Sequence, residues 1–294
     1  MTETFKTILW ATDFSEEAQQ ALLYANLFAK VFNAKLTACH VTHDFSPALY
    51  EVAGAARVDL ARKVGQMKDE ARGKIESLAK AKGITFKKIV IKEGSVSKKI
   101  IQTSEEEKAD LIVMGKRGQS PSEKILLGGV TNHVLRSSEV PILVVPKKKG
   151  APAIKKILVP TDFSKQEEIE RDFAWKLAKG FDASLHLIYV LEILGEDSRI
   201  VDDMFESVLK RLKAREKREK EDIEIIEKVT RAARAWEGIV EYAESQKLDL
   251  IVMSTFVHNI ARFFLGSTTE KVISHSAVPV FAIPPFEKGV QLKI

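Results

Sequence analysis

Three short segments carry residue types suited to holding a small polar molecule. Asp13 follows the apolar run Ile8-Leu9-Trp10-Ala11 and Thr12. A carboxylate there can accept hydrogen bonds from a heterocyclic base or a ribose. Gly115-Lys116-Arg117-Gly118 follows another apolar run. Its two glycines allow close backbone approach or unusual dihedrals. Gly128-Gly129-Val130-Thr131 leads into a helical stretch. Free N–H groups at a helix start, with the positive end of the dipole, seat an anion, and Thr131 adds a hydroxyl donor. Each segment also has a plainer reading: Asp13 as a helix cap, the glycine pairs as tight turns. Their combination and spacing are more specific than any one of them.

Other chemistries lack their residues. The G-x4-G-K-(S/T) spacing of a P-loop is absent, as are G-x-S-x-G and H-E-x-x-H. The six histidines are scattered; His40 and His43 fall near the end of one apolar run without metal-ligand spacing. The single cysteine, Cys39, lies inside that run and reads as an inert core residue.

The elements that must position these residues occur twice. Lys6-Thr7-Ile8-Leu9-Trp10-Ala11-Thr12-Asp13-Phe14-Ser15 returns as Lys155-Lys156-Ile157-Leu158-Val159-Pro160-Thr161-Asp162-Phe163-Ser164. Ala109-Asp110-Leu111-Ile112-Val113-Met114 returns as Leu248-Asp249-Leu250-Ile251-Val252-Met253, and Val140-Pro141-Ile142-Leu143-Val144-Val145-Pro146 as Val278-Pro279-Val280-Phe281-Ala282-Ile283-Pro284. A repeat this long is a duplicated domain. The halves span 1–148 and 153–294, joined by the Lys-, Gly- and Pro-containing stretch between them. The second copy is shorter by ten residues between its second and fourth strands.

Within each half, short apolar runs alternate with amphipathic stretches. In the first half, strands are expected at Ile8–Ala11, Leu36–Val41, Phe86–Ile91, Leu111–Met114 and Ile142–Val145. Helices are expected from Ser15 to Asn33, over Val58–Lys82 and Val96–Glu107, and from near Gly129. In the second, Ala183–Val190 and Ile223–Val229 read as strands two and three, with a charged helix over Asp202–Asp222. Such alternation gives an α/β fold with a mostly parallel, five-stranded, doubly wound sheet per half, whose ligands sit beyond the carboxyl ends of the strands. Asp110 and Asp249, ahead of strand four, read as caps.

The bulk numbers fit two soluble globular domains: 294 residues, 45% hydrophobic, 30% charged, net charge +5. No apolar run reaches the roughly 18 residues of a membrane span, and no signal segment opens the chain. A cytoplasmic location follows as the expectation. No arginine-rich, aromatic-interleaved patch points to nucleic acid. Abundant Lys and Glu with few Asn and Gln fit a heat-adapted source.

Gly115, two residues, Gly118, nine residues, Gly128 make G-x2-G-x9-G, after Asp13 and before Val140–Val145. With five matching segments per copy, the whole chain resembles the universal stress protein family, as a tandem of two domains with the adenine nucleotide alpha hydrolase-like fold. The resemblance implies an adenine nucleotide, ATP, ADP or AMP, with Mg2+ as an optional companion. Ala11, Thr12, Asp13 and Val41 would hold adenine. Met114, Gly115 and Gly118 would line base and ribose. Gly128, Gly129, Val130 and Thr131 would hold phosphates. The family has Ser or Thr at Gly129, so one hydroxyl is missing here. In the second half Ser254 and Val257 replace both loop glycines, while Asp162, Gly266, Ser267, Thr268 and Thr269 leave a weak second seat. The resemblance also implies pairing through the last strand, setting Val140–Val145 beside Val278–Ile283 as an internal pseudo-dimer. Pairing of two chains and a signalling partner of unknown kind remain open; neither a membrane nor a nucleic acid is expected. The leading expectation is a stress-response sensor or regulator that binds nucleotide mainly in the first half. A slow ATP hydrolase, for which Lys116 and Arg117 offer charge but no base is evident, and a nucleotide-free adaptor are the alternatives.

Overall fold

The computed structural model describes residues 5–42, 57–119, 126–147, 150–193, 198–216, 223–255 and 265–284. The first half runs β1 (Thr7–Thr12), α1 (Glu16–Phe32), β2 (Lys35–Thr42), α2 (Arg57–Lys82), β3 (Lys88–Glu93), α3 (Val96–Glu106), β4 (Leu111–Gly115), α4 (Gly129–Ser137) and β5 (Ile142–Val145). The second repeats it as β6 (Lys156–Pro160), α5 (Lys165–Phe181), β7 (Ser184–Glu192), α6 (Ser198–Glu216), β8 (Ile225–Ala232), α7 (Ala235–Ser245), β9 (Leu250–Ser254), α8 (Ser267–His275) and β10 (Val280–Ile283).

The strands form one ten-stranded sheet in the order β3-β2-β1-β4-β5-β10-β9-β6-β7-β8. Every neighbouring pair is parallel except β5 and β10, which meet antiparallel. There Val280 faces Val144, Phe281 faces Leu143 and Ala282 faces Ile142. Leu143 and Phe281 are equivalent residues of the two copies, so the seam is a self-complementary, pseudo-twofold contact. Strand five thus pairs as expected.

Two apolar layers cover the sheet. On one face Phe5, Phe28 and Phe32 of the first half interlock with Phe173, Phe181 and Phe281 of the second. Phe28 meets Phe181 edge-on at 4.9 Å between centroids, and Phe173 lies 4.9 Å from Phe281. A Cβ on Gly180 would stand 2.4 Å from the Phe32 ring, so this glycine makes room for it. The other face packs Leu9, Ile112, Val134 and Leu135 with Ile239, Val272 and Ile273. Cys39 is buried there, and burial pushes its thiol up to about 11, keeping it protonated and inert at neutral pH.

Local sequence sets the element ends. The Ser15 hydroxyl accepts from the Ala18 amide and caps α1, and Asn33, left-handed at φ 54, ends it. Asp110 caps a strand rather than a helix: its carboxylate accepts from the amides of Lys6 (2.7 Å) and Thr7 (2.8 Å), opening β1. Asp249 does the same for Lys155 and Lys156 at β6. Strand three begins two residues later than expected, because Phe86 is held outside the ladder, stacked on Trp10 at 5.7 Å. The segment 217–222 of the expected Asp202–Asp222 helix lies outside the described residues.

Candidate functional site

The motif Thr-Asp-Phe-Ser folds identically in both halves. The Thr12 hydroxyl accepts from the Phe14 amide (3.0 Å) and the Asp13 carboxylate from the Ser15 amide (3.0 Å). Thr161 and Asp162 repeat these bonds at 3.1 and 2.8 Å. Between them Phe14 and Phe163 take the left-handed φ values of 67 and 61 that bulky residues rarely adopt. One oxygen of Asp13 is therefore used by its own turn. The other accepts from the Gln119 amide at 2.9 Å, and the Gln119 side-chain amide bonds to the Asp13 carbonyl. Asp13 pins the first residues of the loop after β4 across the carboxyl end of β1.

The glycines of that loop serve space. Among the described glycines with left-handed φ, none is Gly115, Gly118 or Gly128. A Cβ on Gly115 would stand 3.0 Å from the Ala18 amide and Glu17, and one on Gly118 2.7 Å from the Asp13 carboxylate. A Cβ on Gly128 would approach the Lys116 carbonyl at 3.3 Å. Gly129 has nothing within 4 Å of the Cβ position. Gly128 and Gly129 start α4, and the Gly128 amide donates to the Lys116 carbonyl at 3.0 Å. This bond draws the helix start to the loop.

Ala11, Val41 and Met114 converge on one face of the sheet, at the carboxyl ends of β1, β2 and β4. They stay slightly exposed, whereas Leu9 and Ile112, deeper in the same layer, are fully covered. They form an apolar floor beside Asp13 and the loop. Thr12 is buried and occupied by its turn. Val130 is exposed on the first turn of α4. The Thr131 hydroxyl is buried and donates to the Gly115 carbonyl at 2.9 Å, tethering α4 to β4. His40 lies away from the floor, its Nδ1 bonded to the Thr12 carbonyl at 2.7 Å and its ring 4.6 Å from Phe14. A carbonyl only accepts, so Nδ1 carries the proton. His43 lies outside the described residues.

The two loop cations turn away from the crevice. Glu17, only 5% exposed, accepts from the Arg117 amide (2.5 Å) and Nε (2.9 Å). Lys116 donates from Nζ to the carbonyl of Ser276 in the other half at 3.1 Å. Sequence reasoning did not assign roles to Glu17 or Gln119. Their only signal was an acid in the first turn of α1 and a polar residue next to Gly118.

The family model of the universal stress proteins matches residues 4–146 and again 153–284. The chain belongs to the universal stress protein family. Universal stress protein MJ0577 of Methanocaldococcus jannaschii is 32% identical over 165 residues, spanning 51% of this chain and 100% of that protein. Universal stress protein Slr1230 of Synechocystis is 27% identical and covers 94% of this chain and 98% of its own length, so it matches both halves. Among solved structures, a universal stress protein of Archaeoglobus fulgidus superposes with a TM-score of 0.66 at 25% identity, with 96% of each chain covered.

In the second half of this universal stress protein the same frame recurs around other side chains. The Gly266 amide donates to the Thr255 carbonyl (3.1 Å), and the Thr269 hydroxyl to the Ser254 carbonyl (2.7 Å). Thr269 is thus a tether like Thr131. Gly266, Ser267 and Thr268 form the start of α8. Val257 and the rest of its loop, 256–264, lie outside the described residues. No helix among the described residues is long and apolar enough to cross a membrane.

Proposed function

We propose that this universal stress protein binds an adenine nucleotide in its first half and reports occupancy as a stress-response regulator. One observation carries the reading. The G-x2-G-x9-G loop, clasped to the start of α4 through Gly128, lies beside an apolar floor of Ala11, Val41 and Met114 with Asp13 at its rim. The floor suits a heterocycle, Asp13 keeps lone pairs for a ribose, and the amides at the start of α4 suit phosphate. Gly129 leaves the family's hydroxyl out, and Thr131 supplies none because its own is committed to Gly115. Phosphate contacts then rest on the backbone donors at the start of α4. Among the described residues no group of three or more His, Cys, Asp or Glu is suited to a metal ion, so a Mg2+ companion would be held chiefly by the phosphates.

A nucleotide-free adaptor is the second reading, supported by Asp13 and Thr131 already having protein partners. Hydrolysis has less support, since Lys116 and Arg117 are held elsewhere. Mass spectrometry and ultraviolet absorbance of the denatured, purified chain separate the readings. Near one adenine nucleotide per chain, or a rise in melting temperature with excess ATP, supports the first. No nucleotide and no thermal shift with ATP, ADP or AMP supports the adaptor.

A further inference from the structure

Lys116 stands between the two loop glycines, yet its side chain crosses the seam. Its Nζ donates to Ser276, the C-cap residue of α8 in the second half. The residue is 8% exposed, an uncommon place for an ammonium group, and among the described residues no carboxylate pairs with it directly. Its backbone is equally engaged. The amide donates to the Val145 carbonyl at the end of β5, and the carbonyl accepts from Gly128, where the anion seat begins. One residue therefore touches the seat, the seam strand and the last helix of the other half.

The path closes on itself. Arg136, on α4, pairs with Glu270 on α8 at 3.0 Å. From the seat the bonds run Gly128, Lys116, Ser276, along α8 to Glu270, and back through Arg136 to α4. The second copy lacks the crossing: Thr255 stands where Lys116 does, and its hydroxyl bonds to Ile283 of its own half at 3.3 Å. The link is asymmetric: only the half with Gly115 and Gly118 sends a side chain across the seam.

We propose that Lys116 is a positioning residue that couples the first-half anion seat to α8, so that nucleotide held in one half is read in the other. The proposal rests on the nucleotide reading above. A change at the seat shifts the Gly128–Lys116 clasp, and a short buried link passes that shift to the end of α8.

Trp236 is a built-in reporter, its ring 4.5 Å from that of His275 and 5.4 Å from the Lys271 ammonium, both on α8. The full chain is labelled with 5-fluorotryptophan, and the Trp236 resonance is assigned with Trp236→Phe. ATP with Mg2+ is the probe, with saturation set by calorimetry for each variant. The Trp236 fluorine resonance should move by more than its linewidth in the parent, and at least fivefold less in Lys116→Met at saturation. An equal shift in Lys116→Met, or no shift in a parent that binds ATP, overturns the proposal. If calorimetry finds no binding in the parent, the nucleotide reading fails, and the coupling is decided without ligand. Amide exchange at residues 272–276 should then quicken at least tenfold in Lys116→Met; unchanged exchange overturns the coupling. Should Lys116→Met not fold, Arg136→Met, which cuts the half-exposed return arm, takes its place. It should at least halve the ATP-induced shift or, without binding, double the exchange; no effect overturns the proposal.

Discussion

The two halves build one backbone frame from different side chains. Lys116 and Thr255 both donate their amides to the end of the last strand, at Val145 (2.9 Å) and Ile283 (2.8 Å). Both accept from a helix-start glycine, and both copies tether that helix through a buried threonine hydroxyl. Yet Ser254 occupies the place of Gly115 and is buried within an intact strand. The frame survives there without the loop glycine. What the glycines add in the first half is close packing of the loop against α1, Asp13 and the Lys116 carbonyl.

Moving residues from one half to the other tests that lesson. Gly118→Val copies the second half and places a Cβ against Asp13. Nucleotide affinity should fall about 100-fold or more, close to 3 kcal/mol, while the melting temperature stays within a few degrees; calorimetry and a thermal melt read both. Retained affinity would place the site elsewhere. Gly180→Ala tests the shared aromatic layer, since its methyl meets the Phe32 ring at 2.4 Å. Overpacking there should cost roughly 1–3 kcal/mol in urea unfolding.

Lys116 supplies a pH signature. Burial, then the Arg117 guanidinium, lower its pKa to about 8, with the carboxylates of Glu17 and Glu244 pulling the other way. Between about pH 8 and 10.5 the unfolded chain holds more protons at this position, so its contribution to stability rises with pH. Lys116→Met should flatten that part of the profile by on the order of 1 kcal/mol; an unchanged slope would assign it to other groups. Gly129→Ser imports Ser267 into open space and returns the family's hydroxyl. It should tighten nucleotide binding about tenfold, close to 1.4 kcal/mol. The smallest contrast is a control. Thr131→Val and Thr269→Val should each cost about 1 kcal/mol of stability, by similar amounts, because both hydroxyls do the same structural work. A larger loss of nucleotide binding from Thr131→Val than this tether explains would restore the phosphate contact first expected of it.

Much of this was legible in the sequence because periodicity and repetition are local signals. The α/β alternation, the Asn33 helix stop and the pairing of Val140–Val145 with Val278–Ile283 follow from run lengths, caps and family resemblance. The bonds that define the site are long-range and were not legible. Glu17 and Arg117 are 100 residues apart, Lys116 and Ser276 160 apart. Thr131 could not be assigned from its position, since a hydroxyl on the first turn of a helix reads the same whether it faces outward or toward Gly115. Strand three lies two residues beyond its apolar signal because Phe86 spends that signal on a ring stack with Trp10, while the charged end of the strand pairs through Lys92 with Glu106 and Glu93 with Lys68.

The antiparallel seam has a bearing on how such a chain can change over generations. Were the halves separate molecules, a copy that lost its ligand would also be lost to dilution whenever its concentration fell. Fused, the second copy is always present at the effective concentration of a tethered partner, and its β10 always covers β5. Phe281, shared between β10 and the aromatic layer of both halves, is held by its neighbour's need for a covered edge. Ser254 is held by the same frame, pairing with Ile283 of the covering strand and receiving the Thr269 tether on its carbonyl. Whatever it binds, the second half is the permanent edge cover of the first.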